Sequence, residues 1–420
     1  MYHKATLKNG LRIITVPLKN AKTVAILVLV KTGSVYEKKQ ESGISHFLEH
    51  MLFKGTKKRP RTVDIAKELD KVGAKFNAFT GKEYMGFYTV VNNRHLDIGL
   101  DVLSDMFLNS KLEGKEMKRE KGVIIEEIKM IHDTPTRFIE DLWESLLYGR
   151  QPAGRDIAGT KESVFGLNRQ MLKKYYLSQF IASNTAIVLA GNLEREEVSK
   201  KIKKYFSMIN VGKPRETPKT FENQKIPKIS LHFKKTDQTH LTLGVRTYSV
   251  FHPDKYILEL LAAVLGGNMS SRLFILVRER RGLAYYVSSQ TSYYNDRGYL
   301  ATSAGVDHQK VDKTIKIILR EYKGIIKNIT GDELKKAKEF LKGRMSIGLE
   351  GPDDYAFFVG GEEITTGEIL TPEQIYARID KVSLGDIKRV ARDIFKPKKL
   401  NLAVIGPHKD KQKFYKLLKL

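Results

Sequence analysis

Cysteine is missing altogether, tryptophan occurs once, and proline contributes only 12 of 420 residues. Without thiols there are no disulfides, no thiolate-held metals and no cysteine nucleophile, which fits a reducing, cytoplasmic setting. Long apolar runs are missing too. The longest, Val24-Ala25-Ile26-Leu27-Val28-Leu29-Val30, falls far short of the ~20 residues a membrane helix requires. It reads as a buried strand, and no membrane partner is expected. The opening MYHKATLKNG lacks both the apolar core of a secretory signal and the Arg/Ser-rich character of a transit peptide. Acidic residues are in deficit: 48 against 74 Lys and Arg, for a formal charge of +26. Such an excess raises the question of polyanions. Yet the basic clusters, at Lys57-Lys58-Arg59, Lys200-Lys201, Lys203-Lys204 and Lys396 with Lys398-Lys399, are dispersed. None is interleaved with the aromatic platforms that single-strand binders use. A solvated basic surface is expected, with no nucleic acid as partner; a basic polyanion-binding protein is the remoter alternative.

What is present is a foldable composition, 41% hydrophobic and 29% charged, long enough for two or three domains. The most informative segment is His46-Phe47-Leu48-Glu49-His50. On a helix, positions i, i+3 and i+4 share one face, so two imidazoles can grip one cation while a carboxylate stands beside it. Catalytic zinc takes three protein ligands and keeps a fourth position for water, which it acidifies. These residue types therefore imply a zinc hydrolase with one metal per chain, His46 and His50 as ligands and Glu49 as the general base that takes a proton from metal-bound water.

A third ligand is needed from another rigid element. The segment KEMKREKGVIIEEIKMIHD, residues 115–133, has helical periodicity. With Glu120 as origin and ~100° per residue, Glu116, Val123, Ile124, Glu127 and Ile131 fall within about 60° of one direction, while Glu126 points roughly 240° away. A carboxylate on an apolar stripe is costly unless it has a partner or a metal. Glu127 is chosen as third ligand and Glu120 as a second buried carboxylate near the site. His132 is a competitor, although a histidine near a helix end more often serves the helix dipole.

With these residues in view, the chain resembles the inverzincins, and within them the pitrilysin family, specifically the short two-domain branch that includes the catalytic subunit of the mitochondrial processing peptidase and its bacterial relatives. The family spacing for the third ligand falls on Glu127, and its further catalytic glutamate falls on Glu120. The resemblance implies a substrate-pairing edge strand at Gly73-Ala74-Lys75-Phe76-Asn77-Ala78-Phe79-Thr80, with Asn77 and Ala78 holding the substrate backbone. In the second half, Ser270 to Tyr285 resembles the family's substrate-contacting segment, which implies substrate-binding and catalytic roles for Arg278 and Tyr285. An arginine can hold a peptide carbonyl or carboxylate, and a phenol can donate to a developing oxyanion. The glycine-rich loop of the non-catalytic processing subunit has no clear match beyond Gly266-Gly267-Asn268-Met269-Ser270.

The two halves are alike. Phe180 to Gly191 matches Phe395 to Gly406, each an apolar strand ending in glycine, as expected of a duplicated domain. The counterpart of the motif helix, Tyr256 to Leu265, carries no histidine. The expected fold is α+β: a catalytic zinc-binding domain over 1–212, a proline-bearing linker over 213–228 and a metal-free homologous domain over 229–420. Each domain is a mainly antiparallel sheet packed against several helices. The resemblance implies a clamshell dimer of two chains around a chamber that admits peptides and unfolded segments. A homodimer is the simpler expectation because both the metal motif and the Arg278/Tyr285 pair are on this chain; a heterodimer with a related chain is the alternative. The functional expectation is a zinc endopeptidase or oligopeptidase, with a non-catalytic, partner-dependent subunit of the same fold as the rival.

Overall fold

Thr23–Val30 (β3) is apolar at consecutive positions rather than at alternate ones, the pattern of a strand covered on both faces. In the computed structural model, which describes residues 2–419, that is its environment. Val24, Ile26, Val28 and Val30 enter one core; Ala25, Leu27 and Leu29 enter another on the opposite face. Around β3 are His3–Thr6 (β1), Arg12–Pro17 (β2), Lys75–Thr80 (β4), Met85–Asn92 (β5) and Thr185–Gly191 (β6). They form a sheet of order β1-β2-β6-β3-β5-β4. Every pairing is antiparallel except β2 with β6. β4 is an edge strand, paired on one side to β5 with Asn77 opposite Tyr88 and Ala78 opposite Phe87.

A second sheet contains Lys228–Phe233 (β7), Thr239–Thr247 (β8), Ala284–Tyr293 (β9), Gly298–Val306 (β10) and Leu400–Gly406 (β11), in the order β7-β11-β8-β10-β9. This repeats β2-β6-β3-β5-β4 strand for strand. The parallel pair, β7 with β11, stands in the same place. The duplication expected from the matching strand endings is therefore present in the topology, and the α+β class with two sheet-plus-helix halves holds.

The compact units do not follow the contiguous division into 1–212, 213–228 and 229–420. The first unit runs to Met130 and adds Arg155–Pro218 and Gly348–Ile369; the second comprises Ile131–Gly154, Lys219–Ile347 and the chain from Leu370 onward. Two helices change places. Helix Pro135–Tyr148, from the first half, buries Ile139, Trp143 and Leu147 with Ala403 and Ile405 of β11. Helix Pro352–Thr365, from the second half, buries Ala356, Val359 and Ile364 against β2, β3 and β6. Each starts with proline at its first position, where a missing N–H costs nothing. Amphipathic periodicity is the same whichever sheet a helix covers, so sequence could not show the exchange. Residues 211–227 form no helix or strand, as expected of a linker. Within the first unit Arg215 pairs with Glu41 and lies 4.9 Å over the Tyr175 ring; within the second, the Gln224 amide donates to the Lys398 and Leu400 carbonyls. No described helix is long and apolar enough to cross a membrane.

Candidate metal centre

The motif helix, Ile44–Leu52, is anchored by its apolar residues. Ile44, Phe47, Leu48, Met51 and Leu52 are each fully buried against the β3 face. Each such side chain contributes about 1.5–3 kcal/mol. That packing fixes the rotation of the helix, and with it the direction of His46, Glu49 and His50. The start is fixed as tightly. Gly43 precedes the helix at φ +90°, and a Cβ there would lie 2.6 Å from the Ala158 carbonyl oxygen, so only glycine fits. The buried Glu37 carboxylate takes the Gly43 and Ser45 N–H groups at 2.8 and 2.9 Å, serving the N-terminus of the helix from six residues upstream. The Ser45 and Tyr175 hydroxyls are 2.7 Å apart.

Glu37 sets a pH dependence. Burial pushes its carboxyl up to about 8, against the pull of the two N–H donors and the Arg155 charge. Its unfolded value is near 4.3, so the folded state binds this proton more tightly than the unfolded state does. Stability from this group is full below about 4.3 and is lost as pH rises toward 8, at about 1.4 kcal/mol per unit. Glu37→Gln removes the term. The melting temperature of the metal-free variant should thus rise relative to the parent between pH 5 and pH 8; a gap that stays constant across calorimetric scans in that window would disprove the assignment.

Opposite the motif helix runs the carboxylate helix, Gly114–Asp133. Its buried side presents Met117, Glu120, Ile124 and Ile125, whereas Val123 is 50% exposed. The stripe read from sequence is therefore rotated by about one residue. Glu116, expected on it, instead pairs with Arg119 near the surface. Glu126 faces solvent beside Lys129, as expected. Glu120 and Glu127 are both on the side facing the motif. Glu127 Oε2 lies 3.5 Å from His46 Nε2 and 3.5 Å from His50 Nε2. His46, His50 and Glu127 form the one group of potential ligands among the described residues, their ligand atoms all within 4.8 Å of one another. His132 is not in it; its ring packs 4.4 Å from Phe138.

The donor set fits zinc. Ligands at about 2.0–2.1 Å from a tetrahedral ion stand roughly 3.4 Å apart, close to the 3.5 Å from Glu127 Oε2 to each imidazole Nε2. Buried His46 points the same way: Nδ1 has no hydrogen-bond partner among the described residues, and Nε2 is 3.5 Å from Glu127, longer than an ordinary hydrogen bond. A cation on Nε2 would satisfy that buried nitrogen, while the burial cost at Nδ1 stays with the fold. His50 differs. Its Nδ1 meets Glu120 Oε2 at 3.1 Å, the carboxylate contact that fixes the tautomer of a metal-binding histidine. Without metal, burial and the neighbouring His50 pull His46 down to about 4; burial also opposes charge on His50, but Glu120 and Glu127 outweigh it and raise it to about 9.

Glu49 stands beside the three ligand atoms without joining them. The Thr80 hydroxyl, at the end of edge strand β4, donates to Glu49 Oε2. Burial raises the Glu49 carboxyl above the usual range, with Thr80 and His50 opposing. Thr80 was not singled out from sequence, although strand alternation places it on the same side as Ala78. Asn77 is exposed and accepts the Ala78 N–H with its own Oδ1 at 2.8 Å; Ala78 packs on the core beneath the motif helix. In the second unit, Arg278 lies in a π-helical turn, Phe274–Glu279, 4.9 Å over the Phe274 ring, and Tyr285 is 74% exposed near the start of edge strand β9.

A family profile described as "Insulinase (Peptidase family M16)" matches residues 12–161, and one described as "Peptidase M16 inactive domain" matches residues 166–341. The chain is 37% identical to YmxG, an uncharacterized zinc protease of Bacillus subtilis, over 97% of this chain and 98% of that protein. It is 33% identical to an uncharacterized zinc protease of Streptomyces coelicolor, over 97% and 90%. Among solved structures, a protease from Helicobacter pylori superimposes with a TM-score of 0.90 at 22% identity, covering 97% of this chain and 99% of that one. A chain of complex III2 from Candida albicans superimposes with a TM-score of 0.85 at 16% identity, covering both chains fully. At these identities the structural matches establish the fold alone. The profiles and the full-length relatives establish more: this chain belongs to peptidase family M16, the pitrilysin-type zinc proteases.

Proposed function

We propose that this chain is a zinc endopeptidase or oligopeptidase acting on peptides and unfolded protein segments. The observation that carries the reading is the convergence of His46, His50 and Glu127, with each imidazole Nε2 3.5 Å from Glu127 Oε2 and a fourth side chain, Glu49, held beside them by Thr80. His46, His50 and Glu127 would hold one zinc per chain, which supplies Lewis acidity that acidifies water and polarises the scissile carbonyl. Glu49 accepts the proton of the attacking water and returns it to the leaving amine. Glu120 keeps the His50 ring oriented. β4 is paired to β5 on one side only, so an extended peptide can add as a strand along its outer edge beside Asn77 and Ala78, taking over the Ala78 N–H that the Asn77 side chain holds. From the second half, Arg278 would hold a peptide carbonyl or carboxylate and Tyr285 would donate to the oxyanion.

The assembly in this reading is a clamshell homodimer enclosing a chamber, working in the cytoplasm; a heterodimer with a related chain is the alternative assembly. The rival is a non-catalytic, partner-dependent subunit of the same fold; a chain of complex III2 from Candida albicans shares that fold. The intact ligand set favours the enzyme. Purified chain stripped by chelator should lose hydrolysis of a fluorogenic unstructured peptide, and one equivalent of zinc per chain should restore it. Zinc uptake at that stoichiometry with no cleavage of any unfolded peptide would support the rival instead.

A further inference from the structure

Three carboxylates surround the candidate centre, yet only Glu127 brings an oxygen into the ligand set. Glu120 is the more buried of the two on its helix and lies 3.1 Å from a ligand imidazole. A free carboxylate so close to a zinc position would compete to become a ligand, so something must hold it back.

Lys54 does this. Its Nζ lies 2.8 Å from Glu120 Oε1, with the lysine side chain 23% exposed and the glutamate 5%. The backbone that places it is held from both sides. The Lys54 N–H donates to the Met51 carbonyl at 3.1 Å, completing the last turn of the motif helix. The next residue, Gly55, turns at φ +119°, where a Cβ would lie 2.3 Å from the Pro60 carbonyl oxygen. Its own carbonyl accepts the Lys111 N–H at 3.1 Å, and Thr56 bridges Ser110. The loop carrying Lys54 is thereby tied to the segment that leads into the carboxylate helix.

We propose that Lys54 is a positioning residue: by occupying one oxygen of Glu120 it leaves the other for His50 Nδ1 and keeps Glu120 outside the ligand set. The inference rests on the proposed function and deepens it. Lysine suits this task better than arginine. An ammonium makes a point contact with one oxygen, whereas a guanidinium tends to take both. The charge is also matched: a divalent ion facing Glu49, Glu120 and Glu127 would leave a net negative site, and one ammonium offsets it. An ordinary cation at a helix C-terminus would serve the last carbonyls and remain exposed; this one is turned onto a buried acid of another helix.

A double-mutant cycle in zinc affinity tests the proposal. Zinc dissociation constants are measured by chelator competition for the parent, Lys54→Met, Glu120→Gln and the double variant; Lys54→Gln replaces the methionine variant if that one folds poorly. Outer partners of metal ligands are worth about 10–100-fold, so Lys54→Met should weaken zinc about 10-fold. The double variant should bind within about threefold of Glu120→Gln alone, because Lys54 acts only through Glu120. Unchanged affinity in Lys54→Met, or losses that multiply in the double variant, would overturn it. Peptide hydrolysis by the zinc-loaded parent is measured in parallel. Its failure would sink the peptidase reading while leaving the affinity cycle to judge Lys54.

Discussion

Glu49→Gln should lower kcat for peptide hydrolysis by about 10³-fold, within the range that general acid–base catalysis contributes, while zinc content stays at the parental value. The side chain is held by Thr80 and not by the ligand cluster. Glutamine has the same shape and still accepts the threonine hydroxyl, so the packing of the motif helix is kept. What it cannot do is take a proton. Burial, which raises the Glu49 carboxyl above its usual range, brings its basicity closer to neutrality, where a general base works best. Equal turnover by both forms, each with one zinc per chain, would remove Glu49 from the mechanism. Mixing Glu49→Gln with Arg278→Ala adds a test of assembly. Activity recovered in the mixture would show that the second half of one chain serves the metal centre of another; no recovery would confine each site to its own chain or to a different partner.

The parts of this centre that could be read in advance are those set by local periodicity. A spacing of i, i+3 and i+4 puts His46, Glu49 and His50 on one helical face whatever the rest of the chain does. The seven-residue interval from Glu120 to Glu127 does the same on the second helix. Even there the reading was imprecise. Val123 is half exposed while Met117 and Ile125 are buried, because the face that meets the motif is partly polar and draws the apolar contacts to one side. Thr80, Lys54 and Glu37 were not found. Each acts across a turn or between elements: Thr80 through the position of an edge strand, Lys54 through a loop pinned to a distant segment, Glu37 by reaching two N–H groups from a buried turn. Nothing in their immediate neighbours distinguishes them from ordinary polar residues. The exchange of helices Pro135–Tyr148 and Pro352–Thr365 was hidden for a related reason. Duplicated sequences carry the same amphipathic pattern, and only packing decides which sheet each helix covers.

Glu127→Ala should cost more zinc affinity than the loss of any outer partner, at least about 10³-fold against the 10–100-fold typical of those partners. Its Oε2 lies 3.5 Å from each imidazole Nε2, and alanine removes the one carboxylate that belongs to the ligand set. Thermal unfolding separates this effect from the chemistry. A ligand that binds only the folded state stabilises it by about 4 kcal/mol when present at a thousand times its dissociation constant. Zinc should therefore raise the melting temperature of the parent and of Glu49→Gln by the same amount, yet leave Glu127→Ala almost unmoved at the same concentration. If Glu127→Ala kept the full zinc-induced shift, the third ligand would have to come from elsewhere, and Glu120, released from Lys54, is the carboxylate nearest to take its place. The contrast between two inactive variants, one that still gains stability from zinc and one that does not, assigns Glu49 to proton transfer and Glu127 to the metal.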